Sequence, residues 1–332
     1  MMPLAILHRL RCLIKSQAVC IAILFLIMPL MSSSSVYAES DLKTSRVLFV
    51  TSKKTAIYTQ VVDLVKGNLR NQQATSYQFT VVLGKSFADA QINFSPDLIV
   101  TVGASASELV MKEKPVQPVL AVLITDSAFE ILANKYYGSK AGAHAAQVSV
   151  ICLDQPIERS IKLAKLLVPE AKIAGVMTGP SSQKNSAEFA EHVVAAAMTP
   201  KLVNIELTDN PIHKLEPIIR DSDVFIPVPD NRLVNIATAR WILQLSFRYQ
   251  IPVIAYSKTY LDAGATAAIF SSVENVAKQT SELITDEKMR IEAGAHMPAY
   301  YSIKFNYSVA GNLNIDLKTE QFYRNKLQAD SE

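Results

Sequence analysis

The stretch PDLIVTVGASASELV, Pro96 to Val110, decides how the rest of the chain is read. Asp97 to Val102 is a run of branched apolar residues, the length of one strand buried on both faces. Gly103 ends it. Ala104, Ser105, Ala106 and Ser107 then open a helix that carries Leu109 and Val110 inward. A glycine followed by small residues lets a ligand approach the backbone, and the free N–H groups of a helix start favour an acceptor oxygen or negative charge. In open parallel sheets ligands gather at the carboxyl ends of strands. A βα turn that binds nothing has the same sequence, so this stretch alone leaves both readings open.

An echo lies further along. Ser222 to Asn231, SDVFIPVPDN, aligns with Pro96 to Ser105, PDLIVTVGAS. Each copy has the aspartate, the apolar run and the break, and each is followed by a helix and a second run opening Pro-Val. Those runs are PVLAVLIT, Pro118 to Thr125, and PVIAYS, Pro252 to Ser257. The chain therefore contains two similar halves. Strands alternating with helical segments mean βαβ units, parallel sheets and right-handed crossovers. The fold class expected is α/β, with two doubly wound lobes.

The 332 residues suit one large domain or two of ordinary size, and 49% apolar with 19% charged residues is ample for packed cores. The first 38 residues read as a signal peptide. His8, Arg9, Arg11 and Lys15 form a basic region, Ala18 to Met31 an apolar core, and Val36-Tyr37-Ala38 a small-residue cleavage site. An uncleaved anchor is the other reading. Cys20 stands too early for a lipoprotein cysteine. Cleavage after Ala38 removes three basic residues and no acidic ones, leaving 30 of each sign. The basic balance of the full chain is thus no argument for nucleic acid. Cys152 then remains alone in an apolar strand, with no internal disulfide and no reactive thiol. Export without a disulfide suits a bacterial periplasm.

Residues 45–153 are expected to form the N-terminal lobe, completed by part of the C-terminal tail, 154–290 the C-terminal lobe, and 291–332 a return crossing and tail. In the first lobe the strands are Arg46 to Thr51, Phe79 to Leu83, the opening stretch, Pro118 to Thr125 and Gln147 to Leu153. Asn134 to Ala143 reads as a loop. Asp154 reads as the cap of the next helix, with Pro156 in its first turn. In the second lobe the strands are Ala171 to Thr178, Leu202 to Leu207, the echo, Pro252 to Ser257 and Ala265 to Phe270. Glu274 to Ile284 reads as the last helix of that lobe, Trp241 as a core residue, and the tail as packing on the hinge or the first lobe.

The histidines are scattered without metal spacing, and no P-loop, G-x-S-x-G or cysteine-nucleophile context appears. No enzyme, cofactor or metal is expected. Asp126, Asp230 and Asn231 stand at strand ends where function clusters. For Asp126 and Asp230 two readings stay open, helix cap or ligand contact, and their joint placement favours contact. Ser181 lies in the second lobe's counterpart of the loop after the first strand. Tyr58, Phe129 and Tyr256 have rings able to stack on a flat ligand.

The segment QPIERSIKLAKLLVPEAKIAGVMTGPSS, with VFIPVPDN, PVIAY and LDAGATAAI, resembles the periplasmic substrate-binding proteins of ABC transporters related to the tryptophan/tyrosine-binding type. The resemblance spans roughly residues 45 to 315. It implies a type I periplasmic-binding-protein clamshell with a hinge of three crossovers. It further implies ligand contacts at Ser52 and Thr55; at Gly103, Ala104 and Ser105; at Asp126 and Ser127; and at Asp230 and Asn231. Three places depart from the family pattern. Asp126-Ser127 replaces Asp-Pro, Ala143-His144-Ala145 replaces a glycine-rich loop, and Ser271-Ser272-Val273 replaces a Tyr and Gly. The function implied is capture of a small polar or aromatic, amino-acid-like ligand by a monomer that presents it to an inner-membrane ABC permease. The alternative is a periplasmic sensor or interaction module that docks on a signalling receptor.

Overall fold

The computed structural model describes residues 44–71, 75–230, 235–286 and 294–329. The expected signal peptide lies outside the described residues, as does Asn231. None of the described helices is long and apolar enough to cross a membrane.

The first lobe is a six-stranded parallel sheet. Its strands are β1 (Thr44–Thr51), β2 (Ser76–Leu83), β3 (Leu98–Val102), β4 (Val119–Ile124), β5 (Val148–Cys152) and, much later in the chain, β11 (Ala295–His296). The spatial order is β11-β5-β4-β3-β1-β2. Helices α1 (Ala56–Arg70), α2 (Phe87–Phe94), α3 (Ala104–Glu113), α4 (Asp126–Tyr137) and α5 (Lys140–Ala145) join the strands. Every residue of β3 is buried, as a strand covered on both faces must be.

The second lobe repeats the plan with β6 (Ile173–Thr178), β7 (Thr199–Asn204), β8 (Val224–Pro227), β9 (Ile254–Ala255), β10 (Ala267–Phe270) and β12 (Ser302–Phe305). Two three-stranded runs, β7-β6-β8 and β9-β10-β12, meet through a parallel bridge between Phe225 and Val253. Strand β12 alone is antiparallel, on β10. The helices are α6 (Ile157–Leu167), α7 (Ser186–Ala195), α8 (Pro211–Arg220), α9 (Ile236–Tyr249) and α10 (Lys258–Asp262). Both copies of the echoed aspartate do one job. Asp97 Oδ2 accepts from Arg46 N at 2.8 Å and Asp223 Oδ2 from Ile173 N at 2.8 Å, so each clamps the start of its own lobe's first strand.

Three crossovers link the lobes, at residues 153–156, 271–272 and 297–301. One chain of hydrogen bonds laces them. Arg159 donates to Gln155 Oε1 at 2.8 Å and to Pro298 O at 2.7 Å, and Gln155 Nε2 donates to Ser271 Oγ at 2.7 Å.

Several expectations are corrected. Asn134 to Ala143 is not a loop; α4 runs to Tyr137, Gly138 at φ +78° ends it, and α5 starts at Lys140 behind the Ser139 cap. Strand β7 begins at Thr199 rather than Leu202, because an edge strand tolerates Pro200. Helix α11 (Val273–Thr285) is not the last helix of the second lobe. Its Val276, Ala277, Leu283 and Ile284 share a core with Val61, Val62, Val65 and Leu69 of α1, in the first lobe. The tail crosses back through β11 and β12. After the short α12 (Tyr307–Asn312), α13 (Glu320–Ala329) buries Tyr323 and Leu327 in the second lobe with Ile161 and Leu163, not on the hinge or first lobe. Trp241 is 41% exposed and outside the core, and Phe129 is fully buried, stacked on His144 at 6.2 Å, so its ring faces no ligand.

Candidate functional site

The site begins at an irregularity. Near the end of β4, Leu123 adopts φ +55°, and the register against β5 shifts between Ala121 and Ile124. A left-handed leucine costs about 1–2 kcal/mol. Such a bulge re-aims the residues that follow it. Thr125 caps α4, accepting from Ala128 N at 3.3 Å, so Asp126 is not the cap. The Asp126 carboxylate instead meets Lys140 Nζ at 2.5 Å. The Cys152 thiol lies 3.7 Å from the same oxygen, and burial, reinforced by that carboxylate, pushes it up to about 12. It is inert at neutral pH.

Asp154 follows β5 as Asp126 follows β4. It does not cap α6, which starts behind Pro156 with no side-chain cap. Proline restricts Gln155 to extended backbone, and Asp154 stands three residues from the helix start. Its Oδ2 accepts from Asp126 N at 2.5 Å. Burial raises Asp154 above the ordinary aspartate value; the Asp126 N–H opposes that rise and the Asp126 charge adds to it. Among the described residues no ion pair to Asp154 is formed; the nearby Lys140, itself paired with Asp126, only partly opposes the rise.

In the second lobe the loop after β6 carries Ser181 and Ser182. Asp230, 4% exposed, accepts at Oδ2 from Ser181 N at 2.9 Å, Ser182 N at 3.0 Å and Ser182 Oγ at 2.9 Å. It fastens the end of β8 to that loop. It does not cap α9, whose cap is Asn235. Tyr256 follows β9, and its hydroxyl is pushed up to about 12 by burial and then by the charges of Asp230 and Asp154.

Between these segments lies a cavity of about 310 Å³. Asp126 and Ser127 line it from the first lobe, Asp154, Gln155 and Met297 from the crossovers, and Thr178, Ser181, Lys184, Phe189 and Pro229 from the second lobe. Lys184 is ion-paired with Glu130 of α4, which ties the lobes together at this cavity. The volume falls near the lower end of small-molecule pockets, about 300–1,000 Å³.

Of the residues expected from sequence, Asp126, Ser127 and Ser181 line this space. Asp230 holds its wall, and Tyr256 lies within electrostatic reach of both Asp230 and Asp154. Ser52, Thr55, Gly103, Ala104 and Ser105 are not among its lining residues. Thr55 caps α1, accepting from Tyr58 N. Gly103 has φ +90°, and a Cβ there would stand 2.4 Å from Tyr58 Oη, so the close approach it permits is taken by Tyr58. Sequence reasoning missed Asp154, Gln155, Lys184, Phe189 and Met297 as cavity residues. For Asp154 a signal existed: LITD and ICLD both end an apolar strand in aspartate. No cluster able to hold a metal occurs among the described residues.

A family model described as ABC transporter substrate binding protein matches residues 68–318. A search of curated proteins returned no match. Among solved structures, a ligand-free, open substrate-binding protein with adhesive properties from Clostridium difficile is similar at TM-score 0.61 and 14% identity, covering 83% of this chain and 96% of that one. A conserved domain protein from Vibrio cholerae gives 0.54 at 15% identity, covering 83% and 96%. An ABC domain in complex with L-Trp from Streptococcus pneumonia gives 0.52 at 15% identity, covering 82% and 96%. The architecture is that of type I periplasmic-binding proteins.

Proposed function

We propose that this chain, which belongs to the family of ABC transporter substrate-binding proteins, closes its lobes on a small amino-acid-like molecule held in the inter-lobe cavity. Such proteins bind small-molecule ligands and interact with a membrane permease; they are not enzymes. The observation that carries the reading is the cavity itself, lined from both lobes and from the crossovers that hinge them. A ligand touching both walls stabilises the closed state by its differential affinity. Polar Asp126, Ser127 and Ser181 with apolar Phe189 and Met297 suit a ligand with a charged head and an apolar body. We further propose export through cleavage after Ala38, and delivery to an inner-membrane permease by the monomer. Asp230 and Tyr256 support the cavity from behind, and Asn231 is a further ligand contact of this proposal.

A thermal-shift screen of amino acids, aromatic acids, amines, sugars and short peptides tests the reading. A ligand at 100 times its Kd adds about 2.7 kcal/mol of stability, a shift of several degrees. The L-Trp bound by the Streptococcus pneumonia domain makes aromatic amino acids the first compounds to try. No shift across the whole library contradicts the proposal.

A further inference from the structure

We infer that the cavity selects a cationic amine and that Asp154 is the residue that reads its positive charge. This rests on the cavity being the ligand site.

The charges in the wall do not cancel. Asp126 is matched by Lys140 at 2.5 Å, and Lys184 is matched by Glu130. Asp154 lines the same cavity beside Asp126, with one carboxylate oxygen on the Asp126 backbone N–H and no ion pair of its own among the described residues; the Lys140 charge that reaches it is already paired with Asp126. Glu188 on α7 also lines the space, with His192 Nε2 at 4.0 Å from its carboxylate. A carboxylate withdrawn from water without a counter-charge is costly, and an arriving ammonium offsets that cost with a charge-assisted hydrogen bond. The same arrangement disfavours anions, because a ligand carboxylate placed there meets the Asp154 carboxylate. Asp230, buried against Ser181 and Ser182, is less able to serve than Asp154, which faces the space from the crossover. The rest of the lining supplies an apolar seat in Ile157, Phe189, Val228, Pro229 and Met297. The substrate class is therefore an amine on an apolar body, an amino acid's ammonium included.

The test is calorimetric titration of matched compounds on indole, phenyl and short-alkyl bodies, each as amine, alcohol and carboxylic acid, plus the parent amino acids. Amines and amino acids are expected to bind, and the alcohols and acids at least tenfold more weakly. Asp154→Asn is expected to weaken amine binding tenfold or more with its melting temperature at or above that of wild type. Alcohols or acids binding as tightly as their amines overturn the inference and leave the cavity reading standing. Unchanged amine affinity in Asp154→Asn overturns the role of Asp154. Failure of every body in every form overturns the cavity reading and the inference with it. Should Asp154→Asn not fold, the amine-over-alcohol preference of wild type decides.

Discussion

Asp230 has one carboxylate oxygen shared by three donors from the Ser181–Ser182 loop. Asp230→Ala removes three hydrogen bonds, of which Ser182 keeps Gly179 O as an alternative acceptor, and a hydrogen bond to a charged group is worth about 1.5–3 kcal/mol. We expect urea denaturation to show a loss of at least that size; an unchanged midpoint would mean that the loop holds itself. Asp154 acts in the opposite direction. Its pKa is raised above the ordinary 3.8, first by burial. The folded chain therefore binds this proton more tightly than the unfolded chain. Stability falls as pH rises from about 3.9 through the raised folded-state value. Asparagine has no such titration. Asp154→Asn should be more stable than wild type at pH 7, with the advantage fading as pH falls through the raised folded-state value and gone by about pH 4, read from melting temperature against pH. A variant less stable at pH 7 would mean that the carboxylate is already matched by a cation.

Helix α11 shows what a pattern in the chain reveals and what it hides. Ser272 and Asn275 form a capping box, and Val276, Ala277, Thr280, Leu283 and Ile284 make one buried stripe. The helix and its buried face were legible from spacing. Its partner was not, because amphipathicity says that a face is covered and not by which lobe. The covering residues, Val61 and Leu69 of α1, lie some two hundred positions earlier. The prediction belongs to that contact. Leu283→Ala should cost about 2–5 kcal/mol, with amide exchange speeding in α1 and β1 while α6 and β6 stay protected. Faster exchange confined to the second lobe would place α11 wrongly. The repeated strands were legible for the same reason as α11, since a run buried on both faces needs no distant partner to be recognised. At the site, aspartates at strand ends were legible, whereas the role of Gly103 was not: its freedom serves the Tyr58 ring, and no local pattern announces that.

At the scale of the whole molecule, polar contacts among the described residues connect the two lobes. The Gln155–Arg159 lace ties the three crossovers, and the Glu130–Lys184 pair spans the lobes at the cavity. The pair is partly exposed, so its contribution is at most about 1 kcal/mol. That is too little to hold the lobes closed alone, which leaves the balance to be set by a ligand that prefers the closed state. The Asp154 carboxylate, which has no ion pair of its own among the described residues, favours such a ligand with positive charge. The crystal structure of the complex with a calorimetrically confirmed binder tests this most directly. The account predicts density between the lobes, with the ligand nitrogen about 2.7–3.2 Å from the Asp154 carboxylate and the apolar body against Phe189. A ligand bound elsewhere, with the space between Asp154 and Phe189 left to solvent, would contradict it.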